Sequence, residues 1–261
     1  MAEALLGGPA VLAEVLAAQG STPREAGAWM LIGPETCART IGGGRLEFMA
    51  IDAARALLRG GETAQELDVP LGPQIGQCCG GRVRLGLRRV DAALADALRA
   101  RLAAEDAARP QVLVFGGGHV GRALLAALAL LPVRAVLVES REAEAAGAPE
   151  GVEARLTALP EAAVRAAPPG SAYVATTHDH GLDFLIAAEA LARGDAAYVG
   201  MIGSASKRAA CAAFARARGV DPAALVCPIG GAADAAARGD KRPAVIAALT
   251  AAQIMRALAA G

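Results

Sequence analysis

In the second half of the chain, short unbroken apolar runs alternate with longer stretches of helical period. Val112-Leu113-Val114-Phe115 is one such run, of the kind that forms a strand buried on both faces. An apolar helix follows, reaching Leu131, and Val133 to Val138 is a second strand that ends in Glu139. Ala172 to Thr176 and Ala197 to Met201 read as further strands, each leading into a helical run. This alternation predicts a parallel, doubly wound α/β sheet with helices on both faces.

The N-terminal part has a different pattern, with glycine turns between short apolar segments. Gly27 to Ile32 reads as a strand stopped by Gly33-Pro34. Leu46, Met49, Ala50, Ala53, Ala54 and Leu57 repeat with helical spacing and predict a helix from about Arg45 to Leu58, which Gly60-Gly61 ends. Arg82 to Leu87 alternates polar and apolar residues, the period of a half-buried strand. Pro9 to Gln19 stays open between helix, from its alanines, and strand, from Val11 and Val15. The charged, alanine-rich stretch from Asp91 to about Ala108 breaks at Arg109-Pro110 and is expected to be a helical linker. The expected division is a smaller α+β domain over 1–108 and a Rossmann-like domain over 109–261.

Composition narrows the function. The chain has 261 residues, 26 basic and 26 acidic, so its formal charge is zero. Nucleic-acid binding needs a basic face, and stacking on bases needs aromatics, which make up 3% of the residues. The five cysteines follow no disulfide framework, and the first residues lack a secretory pattern, so a reducing, cytoplasmic setting is expected. The longest apolar stretch, Ala123 to Val138, is cut by Pro132 and Arg134, so no membrane span is expected.

The candidate chemistry lies in loops. Gly116-x-Gly118-x-x-Gly121 has a strand before it and a helix after it, the context of a dinucleotide-binding turn. Glu139, about 20 residues on, stands where an acidic side chain takes ribose hydroxyls. His178 and His180 follow a strand and can be metal ligands, proton carriers or hydrogen-bond donors, with Asp179 or His180 as a helix cap in the alternative. Ser204 and Lys207, after Gly203, form a candidate anion site at a helix start. Gly42-Gly43-Gly44 opens a helix with Glu47 in its first turn, and Arg24 follows a Gly-Ser-Thr-Pro turn. Each is a second candidate for holding an anion. Gly76-Gln77-Cys78-Cys79-Gly80-Gly81 presents adjacent thiols in a glycine frame that suits a loop facing a ligand. Neither Tyr173 nor Tyr198 has a lysine four residues on, and no GxSxG, HExxH or CxxC pattern occurs. A Rossmann domain without evident hydride-transfer residues points to binding more than turnover.

Six segments together resemble the xanthine dehydrogenase accessory proteins of the XdhC/CoxI type. They are Gly20 to Met30, Thr40 to Glu47, Gly76 to Gly81, Phe115 to Gly121, Thr177 to His180 and Tyr198 to Ser204, in that order and spanning most of the chain. The resemblance implies a chaperone without independent catalysis. It would bind molybdenum cofactor (molybdenum-molybdopterin), support exchange of an oxo for a sulfido ligand, and deliver the product to the molybdenum subunit of a xanthine dehydrogenase. A cysteine desulfurase is the implied sulfur source. Cys78 and Cys79 become candidates for contacting molybdenum or carrying sulfur. Gln77, Arg24, Gly42, Gly43, Gly44, Gly116, Gly118, His119, Gly121, Glu139, His178, His180, Ser204 and Lys207 become candidates for holding the cofactor or an additional nucleotide at the Rossmann loop.

Two segments depart from the family pattern. Pro243-Ala-Val-Ile-Ala247 lacks the usual acidic position, and Glu139-Ser140-Arg141 replaces an acidic-Asp-Arg pattern. Rival readings are an NAD(P)-dependent oxidoreductase using His178 or His180, and a regulatory nucleotide-binding protein. The final helix, Ala244 to Ala259, can dock on the sheet or form a homodimer face.

Overall fold

The computed structural model describes residues 1–72, 80–231 and 240–260. The chain forms two compact units, Met1–Glu105 and Asp106–Gly261.

The first unit runs α1 (Ala2–Leu5), β1 (Val11–Gln19), β2 (Trp29–Ile32), β3 (Cys37–Arg39), α2 (Gly44–Arg59), β4 (Ala64–Pro70), β5 (Arg82–Arg89) and α3 (Ala92–Ala107). Its strands form an antiparallel sheet in the order β3-β2-β1-β5-β4. Successive side chains of a strand point to opposite faces. Val11, Ala13 and Val15 of β1, with Met30 and Ile32 of β2, therefore meet Leu46, Ala50, Ala54 and Leu57 of α2. Leu12, Trp29 and Leu31 point the other way and meet Ala95 and Leu98 of α3. This two-sided burial decides the open question of Pro9 to Gln19. A central strand covered on both faces needs apolar residues in both phases, and that demand overrides alanine's helical preference.

It also corrects the reading of 91–108. That stretch is α3, and Leu94, Ala95, Leu98 and Leu102 form a stripe that covers the second face of the sheet. It is part of the first unit's core, not a spacer.

The second unit runs β6 (Gln111–Phe115), α4 (His119–Leu128), β7 (Arg134–Glu139), α5 (Glu142–Ala145), β8 (Glu153–Leu156), α6 (Pro160–Ala166), β9 (Ala172–Ala175), α7 (His180–Ala192), β10 (Tyr198–Met201), α8 (Ala205–Arg216), β11 (Leu225–Val226) and α9 (Pro243–Leu258). The sheet is parallel throughout, in the order β11-β10-β9-β6-β7-β8. The Rossmann-like expectation is met. Leu113, Phe115, Val136 and Val138 pack with residues of α6 and α7 on one face. Val112, Val114, Ala135 and Leu137 pack with residues of α4 and α9 on the other. Ala247, Ala251 and Ile254 of α9 lie in that second layer, so α9 docks on the sheet. Helix α4 ends at Leu128, short of Leu131. Pro132 is the physical reason, because the residue before a proline is pushed out of helical geometry. Among the described residues, no helix is long and apolar enough to cross a membrane.

Candidate functional site

The chain enters the parallel sheet at β6, builds outward to β8, then returns to β9 on the other side of β6. Loops after β6 and β9 part at this reversal and leave a crevice at the carboxyl ends of the strands, where such sheets bind ligands. A cavity of about 320 Å³ lies there, lined by Gly116, Glu139, Arg141, Pro160, Thr177, His178 and Leu182 among others. Three sequence candidates, Gly116, Glu139 and His178, are thus brought together.

The glycine loop is closely built. A Cβ on Gly121 would lie 2.0 Å from the Gly116 carbonyl oxygen, so α4 can leave β6 this tightly only with glycine there. Gly118 is different: a Cβ would meet only the His178 ring, at 3.5 Å, so this position faces open space across from the imidazole. No side chain caps α4, and its first residue, His119, is exposed. The first-turn amides of α4 remain available to an anion.

Glu139, at the end of β7, is the best-held side chain of the site. Its Oε2 accepts from the Gly117 amide at 2.8 Å and from Arg141 Nη2 at 3.0 Å. Its Oε1 accepts from the amides of Ser140 (2.9 Å) and Arg141 (3.1 Å) and from Arg141 Nε (3.1 Å). Burial by itself would raise its pKa. The Arg141 guanidinium and the Gly117, Arg141 and Ser140 amides outweigh burial and hold it at about 2. The carboxylate is ionised and fixed, and its link to Gly117 ties the glycine loop to β7.

The neighbouring loop reads partly as expected. Asp179 caps α7, accepting from the amides of Gly181 (2.7 Å) and Leu182 (3.2 Å). His180 is the first residue of α7 and stacks on Phe184 with ring centroids 6.5 Å apart, away from the cavity lining. Among the described residues, no group of three or more His, Cys, Asp or Glu is placed to hold a metal ion.

Lys207 corrects an expectation. Its Nζ lies 2.5 Å from Oδ2 of Asp183, whose side chain is fully buried, and the lysine side chain is itself 9% exposed. The ammonium is engaged in this internal pair instead of facing open solvent as a bare anion anchor would. Ser204 accepts from the Lys207 amide at 3.2 Å, which makes it the cap of α8. The other oxygen of Asp183 accepts from the Thr177 amide (3.0 Å) and hydroxyl (2.8 Å). Asp183 therefore ties the His178 loop to α8. The sequence reading gave Asp183 and Arg141 no role; the available signal was a lone acid in an otherwise apolar helix start.

In the first unit, three of the glycine-rich segments meet. A Cβ on Gly81 would lie 2.3 Å from the Ser21 carbonyl oxygen, so the Gly80-Gly81 pair lies flat against the Gly20 to Arg24 turn. A Cβ on Gly42 would lie 2.6 Å from Pro23 Cβ and 3.4 Å from Arg24 Cγ, so that turn in its other part lies on the triple-glycine loop. The Leu71 amide donates to the Gly81 carbonyl at 2.7 Å and closes the base of the β4–β5 connection. Gln77, Cys78 and Cys79 belong to that connection and lie outside the described residues.

Glu47 changes the reading of Gly42, Gly43 and Gly44 as a bare anion cradle. Its Oε1 accepts from the amides of Ile41 and Gly43, each at 3.0 Å, and from the Thr40 hydroxyl. The chain's own carboxylate thus occupies the amides of the loop that leads into α2, while no side chain caps the first turn of the helix itself. Positive charge at this rim comes instead from Arg24 and Arg45, both exposed and without an ion pair among the described residues.

A parallel sheet of this order, with a glycine loop after its first strand and an acid ending its second, defines a Rossmann-type domain. Residues 112–254 match the XdhC Rossmann domain and residues 5–68 match the XdhC and CoxI family, and the chain belongs to the XdhC family. A crystal structure described as a xanthine dehydrogenase from Bacillus halodurans has the same fold. It overlaps 99% of this chain and 95% of its own, with a TM-score of 0.80 at 18% identity. A crystal structure of a protein from Magnetospirillum magnetotacticum MS-1 overlaps 43% of this chain and 37% of its own, at 24% identity and a TM-score of 0.31. No curated protein matches the chain.

Proposed function

We propose that this chain is a maturation factor that binds molybdenum cofactor, supports its sulfuration and hands it to a xanthine dehydrogenase. Membership of the XdhC family supports the role in xanthine dehydrogenase maturation. The observation that carries the cofactor part is the packing of Gly80-Gly81 on the Gly20 to Arg24 turn, and of that turn on Gly42. It brings the exit of the Cys78-Cys79 segment, one residue past Cys79, to the loop that bears Arg24.

The residues fit an anionic, molybdenum-bearing pterin. Arg24 and Arg45 offer guanidinium donors to a phosphate. Thiolates of Cys78 and Cys79 are soft ligands suited to molybdenum and to carrying sulfur, provided they are accessible. Glu47, already engaged by the loop amides, holds the glycine turn in shape. When bound, the cofactor supplies the metal centre that the target enzyme uses. The work of this chain is to bind, shield and release it, with a cysteine desulfurase as sulfur donor and no turnover of its own.

The test is purification from a host replete in molybdopterin, followed by oxidation of any released pterin to its fluorescent form. Stoichiometric pterin, lost in Cys78→Ala or Cys79→Ala while the circular dichroism spectrum is kept, supports the reading. Background pterin in the wild type, or full retention in the double variant, refutes it.

A further inference from the structure

We infer that Glu105, in the last turn of α3, is a positioning residue for the pterin site proposed above. It holds Arg39, at the root of the triple-glycine loop, in a left-handed backbone conformation, and through Arg101 it steadies the end of the turn that bears Arg24. The identity of the bound molecule rests on the pterin reading; the positioning does not.

Arg39 is the only non-glycine residue with positive φ among the described residues, at +68°. The left-handed region is disfavoured for any residue with a Cβ, so a contact must hold it there. Arg39 ends β3, and the loop from Thr40 to Gly44 follows directly, with its Ile41 and Gly43 amides on Glu47. Its side chain supplies the hold. Arg39 Nη1 donates to Glu105 Oε2 at 2.7 Å, and the guanidinium lies 4.0 Å from the centre of the Trp29 ring.

The same carboxylate serves a second loop. Glu105 Oε1 accepts from Trp29 Nε1 at 3.4 Å and faces Arg101 Nε at the same distance. Arg101 donates to Glu14 and to the Gly27 carbonyl, each at 2.8 Å, and Gly27 closes the Gly20 to Arg24 turn by donating its amide to Val15. The two loops meet where Gly42 lies on Pro23 and Arg24.

The Arg39 and Glu105 side chains are 34% and 38% exposed, and an isolated pair at that exposure contributes little. Here the pair belongs to a network with Arg101 and Glu14 around an indole that is 2% exposed. Burial alone would raise the Glu105 pKa; Arg39, Trp29 and Arg101 outweigh it and lower it. The fold itself does not need the network, because Leu12, Trp29 and Leu31 already fasten α3 through Ala95 and Leu98. What the network adds lies at the two loops.

Glycine separates positioning from contact. It adopts positive φ at no steric cost, so Arg39→Gly keeps the backbone while deleting the clamp, whereas Arg39→Ala deletes the clamp and keeps the strain. Amide hydrogen exchange by mass spectrometry on the full chain reads the loops without any cofactor. Glu105→Gln and Arg39→Ala are expected to speed exchange in peptides covering 40–47 about fivefold or more, with peptides of the second unit unchanged. Arg39→Gly, alone or with Glu105→Gln, is expected to stay within about twofold of wild type there. Peptides covering 20–28 should speed up in Glu105→Gln and stay fast in the double variant, because that arm runs through Arg101. Emission of Trp29, the chain's single tryptophan, reports that each substitution has opened the network.

Unchanged exchange over 40–47 in Glu105→Gln overturns the positioning role, as does a double variant that exchanges there as fast as Glu105→Gln. Where Glu105→Gln fails to fold, equal exchange in Arg39→Ala and Arg39→Gly overturns it. Retained pterin, read on the same proteins, is expected to fall in Glu105→Gln and Arg39→Ala and to be higher in the double variant than in Glu105→Gln. Wild-type retention in Glu105→Gln despite faster exchange overturns the service to the cofactor. Background pterin in the wild type refutes the pterin reading instead, and faster exchange in Glu105→Gln, reversed over 40–47 by Arg39→Gly, then still supports the positioning.

Discussion

Lys207 Nζ sits 2.5 Å from Asp183 Oδ2, and this buried pair fastens the start of α8 to the start of α7 beneath the His178 loop. It converts a candidate ligand-binding lysine into a support for the crevice. Removing one partner of a buried pair strands the other charge in low dielectric. Lys207→Met is expected to cost about 3–5 kcal/mol in urea unfolding. The double variant Asp183→Leu/Lys207→Met should recover part of that loss. A single variant as stable as wild type would mean that the pair is solvated and not structural.

Glu139 makes stability depend on acid. Its folded pKa, about 2, lies below its value in the unfolded chain, so its stabilising bonds are fully present above the unfolded value, near pH 4.5. They are lost as pH falls from there toward about 2. Glu139→Gln should melt lower than wild type at pH 7, with the gap closing as pH drops through that window. Parallel melting curves at all pH values would contradict this.

Two thiols of the second unit are expected to be inert. Burial raises the Cys211 pKa to about 11, and burial raises that of Cys227 despite Lys207 and Arg208 nearby, which pull it down. At pH 8 a disulfide reagent should reach neither in the native protein and both after unfolding. Peptide mapping of the labelled native protein checks this, and rapid modification of Cys227 would contradict it.

Gly81→Ala should disturb the first unit. The added methyl would lie 2.3 Å from the Ser21 carbonyl oxygen and 2.7 Å from that of Gln19, both main-chain atoms that cannot turn aside. A loss of about 1–3 kcal/mol is expected, in the range for overpacking a tight site. Pterin retention is expected to fall with it, measured as fluorescent oxidised pterin per protein. Gly80→Ala is a harsher test of backbone than of contact, since φ there is +64° with nothing within 4 Å.

The parallel sheet was legible because its strands carry unbroken apolar runs, and the glycine loop because its spacing has one dominant structural use. Strands β3, β4, β8 and β11 were not. Short edge strands such as Glu153–Leu156 alternate weakly and are half-exposed, so little in their own residues separates them from loops. Helix α3 was legible as a helix but not as a core element, since its apolar stripe has meaning only against Trp29 and Leu31.

By itself, the sequence determined the α/β class, the crevice loop, the acid that ends β7 and the family. Local patterns suffice for these, because period, glycine spacing and turn chemistry act over a few residues. Only the tertiary structure decided which charged groups are available to a ligand. Lys207 meets Asp183 across two loops, Glu47 turns back onto its own helix start, and Arg141 covers Glu139. Pairings of this kind depend on distance in space and on burial, and neither is written in the spacing of residues along the chain.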